Sequence, residues 1–422
     1  MRRRLCGLIL LLCLPVVGCK KNSPAGTADQ PPQPTDPSGI YHDVNPRWTH
    51  NGRQIAFLRS TPDHRMQLHL VDAELERPLA LLESELLCPD RPYRATQETY
   101  SSTDTLAWSP DDRLIAFERI EWFTFEDGER LPGTSLWSFD TRSGRVKPLA
   151  VHPPHYFSTY YYYHSPVWSP DGRYLAFVAE GINGQRSLCI RPLAAQKPQE
   201  SHPRFDNYED NDWSVWEPPQ RQPTQPRQAG LVFRQSRRRT YNVPPTETLR
   251  RITPGSAESG SAGEIWRITN RNYHAPAATE ATRERSVTLR IGQPVWSPDG
   301  ETLAFTLTPD ANDYTRYELW TWRRADGKAQ RVSPAGRGYF APVWIGDDTL
   351  GCLSKQGEHY AVFTLATDDG AVSLLGTIGS ADCDWSPDRR RIVWAAAPQD
   401  AAAGSDDPTT LHLFNTGLRV PK

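Results

Sequence analysis

The chain has 422 residues, of which 37% are hydrophobic and 23% charged, with a formal net charge of −2 at pH 7. A mean hydropathy of −0.63 does not fit a protein with many membrane-spanning helices; it fits one of many short strands and long polar loops. Removing Arg2, Arg3 and Arg4 takes the charge to −5, which argues against a nucleic-acid partner held through phosphate contacts.

The N-terminus combines Arg2-Arg3-Arg4, an apolar run from Leu5 to Leu14, and Val16-Val17-Gly18-Cys19. This resembles a bacterial lipoprotein signal with its lipobox. The alternatives are an ordinary secretory peptide or a membrane anchor, but the run is too short to span a bilayer and ends in a small residue before a cysteine. The expectation is a signal over 1–18, with Cys19 as the lipidated first residue of the mature protein. Lys20 rather than Asp follows it, which by resemblance to Gram-negative sorting implies the outer membrane; the mature chain is expected to face the periplasm. Residues 19–40 hold Pro24, Pro31, Pro32, Pro34 and Pro37 among small and polar side chains, so they read as a tether without enough apolar surface to fold.

From residue 41 onward one unit recurs. In Ser165-Pro166-Val167-Trp168-Ser169-Pro170-Asp171-Gly172-Arg173-Tyr174-Leu175-Ala176-Phe177, Pro170 presets φ for a turn, Asp171 accepts local backbone bonds and Gly172 supplies a positive φ. Val167, Trp168, Leu175 and Phe177 suit the flanking strands. Trp48 to Phe57, Trp108 to Phe117, Trp168 to Phe177 and Trp296 to Phe305 share the spacing. Trp385 to Trp394 keeps it, and Trp344 to Cys352 is one residue shorter at Gly346-Asp347-Asp348. The tryptophans step by 60, 60, 128, 48 and 41 residues, so the double interval predicts a degenerate seventh copy. Trp216 opens it, Leu231-Val232-Phe233 is its second strand, and further strands are expected near Arg239–Val243 and Leu249–Thr253.

Each hairpin is followed by a third strand, such as Gln67–Val71, Leu136–Phe139, Leu188–Ile190, Glu318–Trp322, Ala361–Phe363 or Leu411–Phe414, and usually by a turn and a fourth. Four short strands per repeat of roughly 40–60 residues predict an all-β propeller with six clear blades and a probable seventh. Trp-Ser-Pro-Asp-Gly followed by Leu-Ala-Phe resembles the TolB-like, WD40-like β-propeller repeat. That resemblance implies a periplasmic or secreted propeller, usually protein-binding, in a family whose related repeats also gate prolyl-oligopeptidase-type hydrolases and form some polysaccharide lyases. TolB carries an N-terminal α/β domain for which residues 1–40 leave no room.

Other features compete with this reading. Asp206, Glu209, Asp210 and Asp212 lack the spacing of a calcium loop and read as a solvated loop. Arg234, Arg237, Arg238 and Arg239 form either an anion-binding patch or a solvated strand edge. Gly255–Gly263 reads as a flexible linker in a long irregular insertion over about 200–290. Tyr160–Tyr163 is either a contact surface or a strand with alternate rings buried. His152 and His155 have no third ligand, and no zinc, phosphate-loop or hydrolase signature is present, so no cofactor and no metal are expected. Cys352 and Cys383 fall on neighbouring blades and read as buried thiols rather than a disulfide.

The connections joining second to third strands, and blade to blade, are long: 83–103, 118–134, 151–164, 255–290, 306–317 and 395–409. Function concentrates on such loops. The channel mouth on that face is expected to be lined by Asn45, Asp104, Thr105, His164, Ser165, Gln293 and Asp382, with Tyr163 and Tyr339 one position earlier. Two functions follow: a monomeric, non-catalytic module that binds an envelope protein, or a metal-assisted polysaccharide lyase, which needs a histidine cluster at the channel.

Overall fold

The computed structural model describes residues 42–60, 66–76, 78–84, 106–124, 130–151, 160–181, 186–194, 209–219, 229–237, 246–253, 263–269, 289–309, 313–396 and 410–418. All of them lie in the compact unit Thr35–Lys422. The signal, the tether, Cys19, Cys88, Asp104, Thr105, His152 and His155 fall outside the described residues.

The turn chemistry sets the local structure. Ser169 Oγ donates to Asp171 Oδ1 at 2.6 Å and accepts from the Tyr174 amide at 2.9 Å, while Gly172 holds a φ of 67° and donates to the Ser169 carbonyl. The same hydroxyl pattern returns at Ser109, Ser297 and Ser386, and Thr49 reproduces it with Asn51 as the acceptor. The Ser109 hydroxyl holds the Asp111 carboxyl below its usual range. Each such turn joins a strand that ends on Trp to a strand that returns through Phe or, at β25, through Trp394.

Blade one is β1 (His42–Trp48), β2 (Gln54–Ser60), β3 (Met66–Asp72) and β4 (Leu79–Ser84). Blade two is β5 (Leu106–Trp108), β6 (Leu114–Thr124), β7 (Arg130–Asp140) and β8 (Val146–Ala150). Blade three is β9 (Tyr160–Trp168), β10 (Tyr174–Gly181) and β11 (Arg186–Pro192), joined to blade two by one parallel bridge, Thr134 to Tyr162. Blade four is β12 (Glu209–Trp216), β13 (Leu231–Arg237), β14 (Thr246–Ile252) and β15 (Gly263–Thr269). Blade five is β16 (Arg290–Trp296), β17 (Thr302–Thr308), β18 (Glu318–Arg323) and β19 (Ala329–Arg331). Blade six is β20 (Phe340–Trp344), β21 (Thr349–Gln356), β22 (His359–Ala366) and β23 (Val372–Ile378). Blade seven is β24 (Cys383–Trp385), β25 (Arg391–Ala396) and β26 (Thr410–Asn415).

First strands of successive blades touch: β1 meets β24 and β5, β5 meets β9, β9 meets β12, β12 meets β16, and β16 meets β20. Cores form between blades rather than within them. One joins Ala116, Leu136 and Leu149 of blade two to Trp168, Leu175 and Phe177 of blade three. The seven first-strand tryptophans are all between 3 and 9% exposed. Most also bond across the seam to the strand before: Trp108 Nε1 donates to the Arg47 carbonyl at 3.1 Å, Trp168 to Ala107 at 3.0 Å, Trp216 to Val167 at 3.1 Å, Trp344 to Val295 at 3.0 Å, and Trp48 to Asp384 at 3.2 Å. Each of these five indoles therefore buries a large apolar surface and satisfies its polar edge.

Several expectations need correction. The third strand of blade four is β14, so Leu249–Thr253 falls in the third position, and the fourth is β15 within the segment expected to be irregular. Positions 118–134 are mostly strand: β6 and β7 pair in unbroken register from Leu114–Asp140 to Thr124–Arg130. Glu209, Asp210 and Asp212 lie on β12 rather than in a loop, where the register sets Glu209 opposite Arg237 and Asp212 opposite Arg234. Arg234 is buried and paired, not solvated. The expectation for the cysteines needs none: Cys352 and Cys383 stand as free thiols, both pushed upward in pKa by burial.

Candidate functional site

Four of the first strands, β1, β9, β16 and β20, carry the same irregularity. Val44 pairs with Leu58 and Arg47 with Ala56, so Asn45 and Pro46 together face the single residue Phe57. Ser165-Pro166 faces Phe177, Gln293-Pro294 faces Phe305, and Ala341-Pro342 faces Cys352 in the same way. Proline cannot donate to a ladder, and the residue before it takes a φ of 54° at Asn45, 53° at Ser165, 49° at Gln293 and 50° at Ala341. These are β-bulges that turn one backbone N–H out of its own sheet.

The freed N–H is met by a side chain of the preceding blade. Asn45 donates to Asp382 Oδ2 at 2.8 Å, Ser165 to Glu118 Oε1 at 3.2 Å, and Ala341 to Gln293 Oε1 at 2.7 Å. Two positions away, the Ile291 amide reaches Glu247 Oε2 at 3.1 Å. Asp382 and Gln293, read from the sequence as lining a channel mouth, are thus also the acceptors that stitch one blade to the next. Buried backbone donors need such partners, and an unmet one costs roughly 1–3 kcal/mol.

His164 is buried between Ser165 and Glu180: Nδ1 lies 3.0 Å from Ser165 Oγ and Nε2 lies 3.2 Å from Glu180 Oε2, which also accepts from Arg186 Nε at 3.1 Å. The side chains of Ser165, Gln293 and Asp382 are half-buried and that of Asn45 is buried. Tyr163 and Tyr339 are 5% and 3% exposed and pack in the inter-blade cores, against Phe177 and Phe363, rather than at a mouth. Successive strand residues point to opposite faces, so one step along the strand moves the ring from mouth to core. Burial raises the Tyr339 hydroxyl pKa.

Deeper charge pairs surround this layer. Asp43 receives Arg59 through both carboxylate oxygens, at 2.6 and 2.9 Å, and its pKa is raised because burial outweighs the cation. Arg234 holds Glu247 at 2.5 and 3.0 Å. Sequence reasoning missed Glu118 and Glu247 altogether. The signal for Glu118 was a lone carboxylate directly after the apolar run Leu114-Ile115-Ala116-Phe117. Among the described residues, no group of three His, Cys, Asp or Glu side chains is placed to hold a metal ion.

No family model matches the chain, and no curated protein matches it. Solved structures do. The β-propeller domain of the Trilobed protease from Pyrococcus furiosus, described as having an open velcro topology, aligns with 12% identity and a TM-score of 0.53 over 91% of this chain and 99% of that one. A puromycin-hydrolyzing peptidase of Mycobacterium tuberculosis aligns with 14% identity and a TM-score of 0.52 over 89% of this chain; this chain spans about half of that one, 51%. TolB from Acinetobacter baumannii aligns with 14% identity and a TM-score of 0.39, over 82% of this chain and 65% of that one. At such identities likeness speaks to fold alone. Together with the blade order and the repeated Trp-Ser-Pro-Asp-Gly turn, the likeness to the first two shows a β-propeller of four-stranded blades.

Proposed function

We propose that this chain is a non-catalytic protein-binding scaffold of the bacterial envelope, held at the outer membrane by a lipid on Cys19 and facing the periplasm. The observation that supports this reading is the use made of the polar residues at the long-connection end. Bonds to Asp382, Glu118 and Gln293 tie the first strands of blades one, three and six to the blade before each. The long connections are therefore carried on a stiff ring, the arrangement in which loops recognise a partner with little ordering cost. Asp104, Thr105, His164 and Ser165 are the contact residues on this reading.

Cross-linked capture of envelope proteins by the mature chain, compared with a variant carrying both Asp104→Ala and His164→Ala, tests it. Loss of a specific captured protein with an unchanged melting temperature supports the site; unchanged capture moves it elsewhere. The anchor is tested separately by Cys19→Ser. The Ser variant should leave the membrane fraction, since no helix among the described residues is long and apolar enough to cross a membrane. Sedimentation of that variant with membranes after a high-salt wash overturns the lipid anchor.

A further inference from the structure

One position of the repeat is apolar in every blade but blade three. In each blade the residue paired with the first-strand tryptophan pairs on its other side with a residue of the third strand, as Ile55 lies between Trp48 and Val71. Those third-strand residues are Val71, Phe139, Ile252, Trp322, Leu365 and Phe414. They pack in or against the inter-blade cores. Blade three, where Leu175 lies between Trp168 and the third strand, has Arg191 instead.

Arg191 is only 8% exposed. Cys189, two residues earlier on the same face of β11, and Leu193, two residues later, both pack in the core that joins blades two and three. The Arg191 Nε is sealed from solvent with no hydrogen-bond partner, and among the described residues no carboxylate pairs with the guanidinium. Burial alone lowers its pKa, with no contribution from a neighbouring charge. Arg234, the other buried arginine among the described residues, shows what is missing, since Glu247 takes it through both oxygens. A guanidinium cannot shed its proton when buried, so an uncompensated one destabilises the fold at a position where an aliphatic or aromatic side chain serves every other blade.

We propose that Arg191 anchors an anion site in the seam between blades two and three, and that its ligand is a single carboxylate group. The planar fork of a guanidinium matches the two oxygens of a carboxylate, and the bond strengthens in apolar surroundings. No second cation stands close enough to act on Arg191, which selects a monoanion over a phosphate dianion. Among the described residues β11 is the last strand on its side of the sheet, so the seat lies toward the outer rim of the seam, and a ligand reaches it without parting the ring. The site is independent of the long-connection face and of the protein-binding reading above.

The test titrates the mature chain near neutral pH with sodium acetate, exchanged for sodium chloride at constant ionic strength, and reads saturation transfer to the acetate methyl and the melting temperature. Saturation transfer should appear, and acetate at about ten times its Kd should raise the melting temperature by about 2 °C. Arg191→Leu, which installs the side chain type found at Leu365 in blade six, should abolish both effects and should melt higher than the wild type in chloride, because it removes an unpaired buried charge. Arg191→Lys keeps the charge without the fork and should weaken acetate binding about tenfold. Equal acetate effects in the wild type and Arg191→Leu overturn the site. So does a lower melting temperature of Arg191→Leu in chloride, which would show that the arginine is paired within the fold. Stronger stabilisation by phosphate than by acetate overturns the carboxylate assignment. The capped peptide acetyl-Gly-Asp-Gly-amide, used in place of acetate, separates the sources: a response to both assigns the site to an acidic side chain of another protein, and a response to acetate alone assigns it to a small free acid.

Discussion

The seam between blades two and three and the seam between blades four and five solve one packing problem with different chemistry. At the first, Trp168 gives its indole N–H to the Ala107 carbonyl, Ser165 meets Glu118, and Thr134 Oγ1 donates to the Tyr163 carbonyl at 2.9 Å. At the second, Trp296 Nε1 is buried without an acceptor, and the turn serine of blade four is replaced by Glu217. That carboxylate takes Arg251 at 2.7 Å through both oxygens, the Gly230 amide at 2.8 Å, and Arg324 of blade five at 2.9 Å. Arg324 in turn lies over the Trp296 ring, 4.8 Å from its centroid. A blade that loses the turn motif can keep its place in the ring if ion pairs cross the seam, and its stability then depends on pH and on complete pairing.

The sharpest way to break the comparison is Glu247→Ala. It leaves the Arg234 guanidinium buried without its carboxylate and the Ile291 amide without an acceptor, at a cost of about 3–5 kcal/mol in chemical denaturation. A loss below about 1 kcal/mol would show that the ion pair does not hold the second seam.

A smaller effect should appear on acidification. Burial opposes ionisation of Glu217, but Arg251, the Gly230 amide and Arg324 outweigh it and draw the carboxyl from 4.5 down to about 2. A depressed folded-state pKa contributes stability that is fully present above the unfolded value and is lost as pH falls through the folded one. The expected loss is about 2–3 kcal/mol between roughly pH 4.5 and pH 2. Subtracting the profile of Glu217→Gln from that of the wild type isolates this component; superimposable profiles would refute it.

The smallest and most specific contrast pairs Trp168→Phe with Trp296→Phe. Both remove similar area, yet only the first removes a made hydrogen bond, so Trp168→Phe should cost about 1 kcal/mol more. Equal costs would mean that the indole bonds do not stabilise the regular seams.

These two seams also mark what the sequence could tell. Where Ser, Pro, Asp and Gly are intact, turn and strand direction follow from local chemistry, and the spacing from Trp to Phe is visible without any partner. In blade four, Glu217-Pro218-Pro219 replaces that turn, and Arg234, Glu247 and Arg251 interrupt the apolar alternation, so the place of Leu249–Thr253 in the blade was misread and β15 was hidden. Those charges fit only because each meets its counterpart across strands. At the candidate site, the polarity of Asn45, Gln293 and Asp382 was legible. Their use was not, because the bulge at each X-Pro pair depends on strand register and the acceptor of Asn45 lies 337 positions away.

That distance has a kinetic meaning. Asn45 and Trp48 complete their backbone bonds only with Asp382 and Asp384, 337 and 336 residues downstream. Contacts of such high order are closed late, after the loop entropy of almost the whole domain has been overcome. A chain emerging N-terminus first, from a ribosome or across a membrane, therefore holds β1 with an unsatisfied flank until residues 382–384 arrive, and during that interval it is exposed to pairing with other chains.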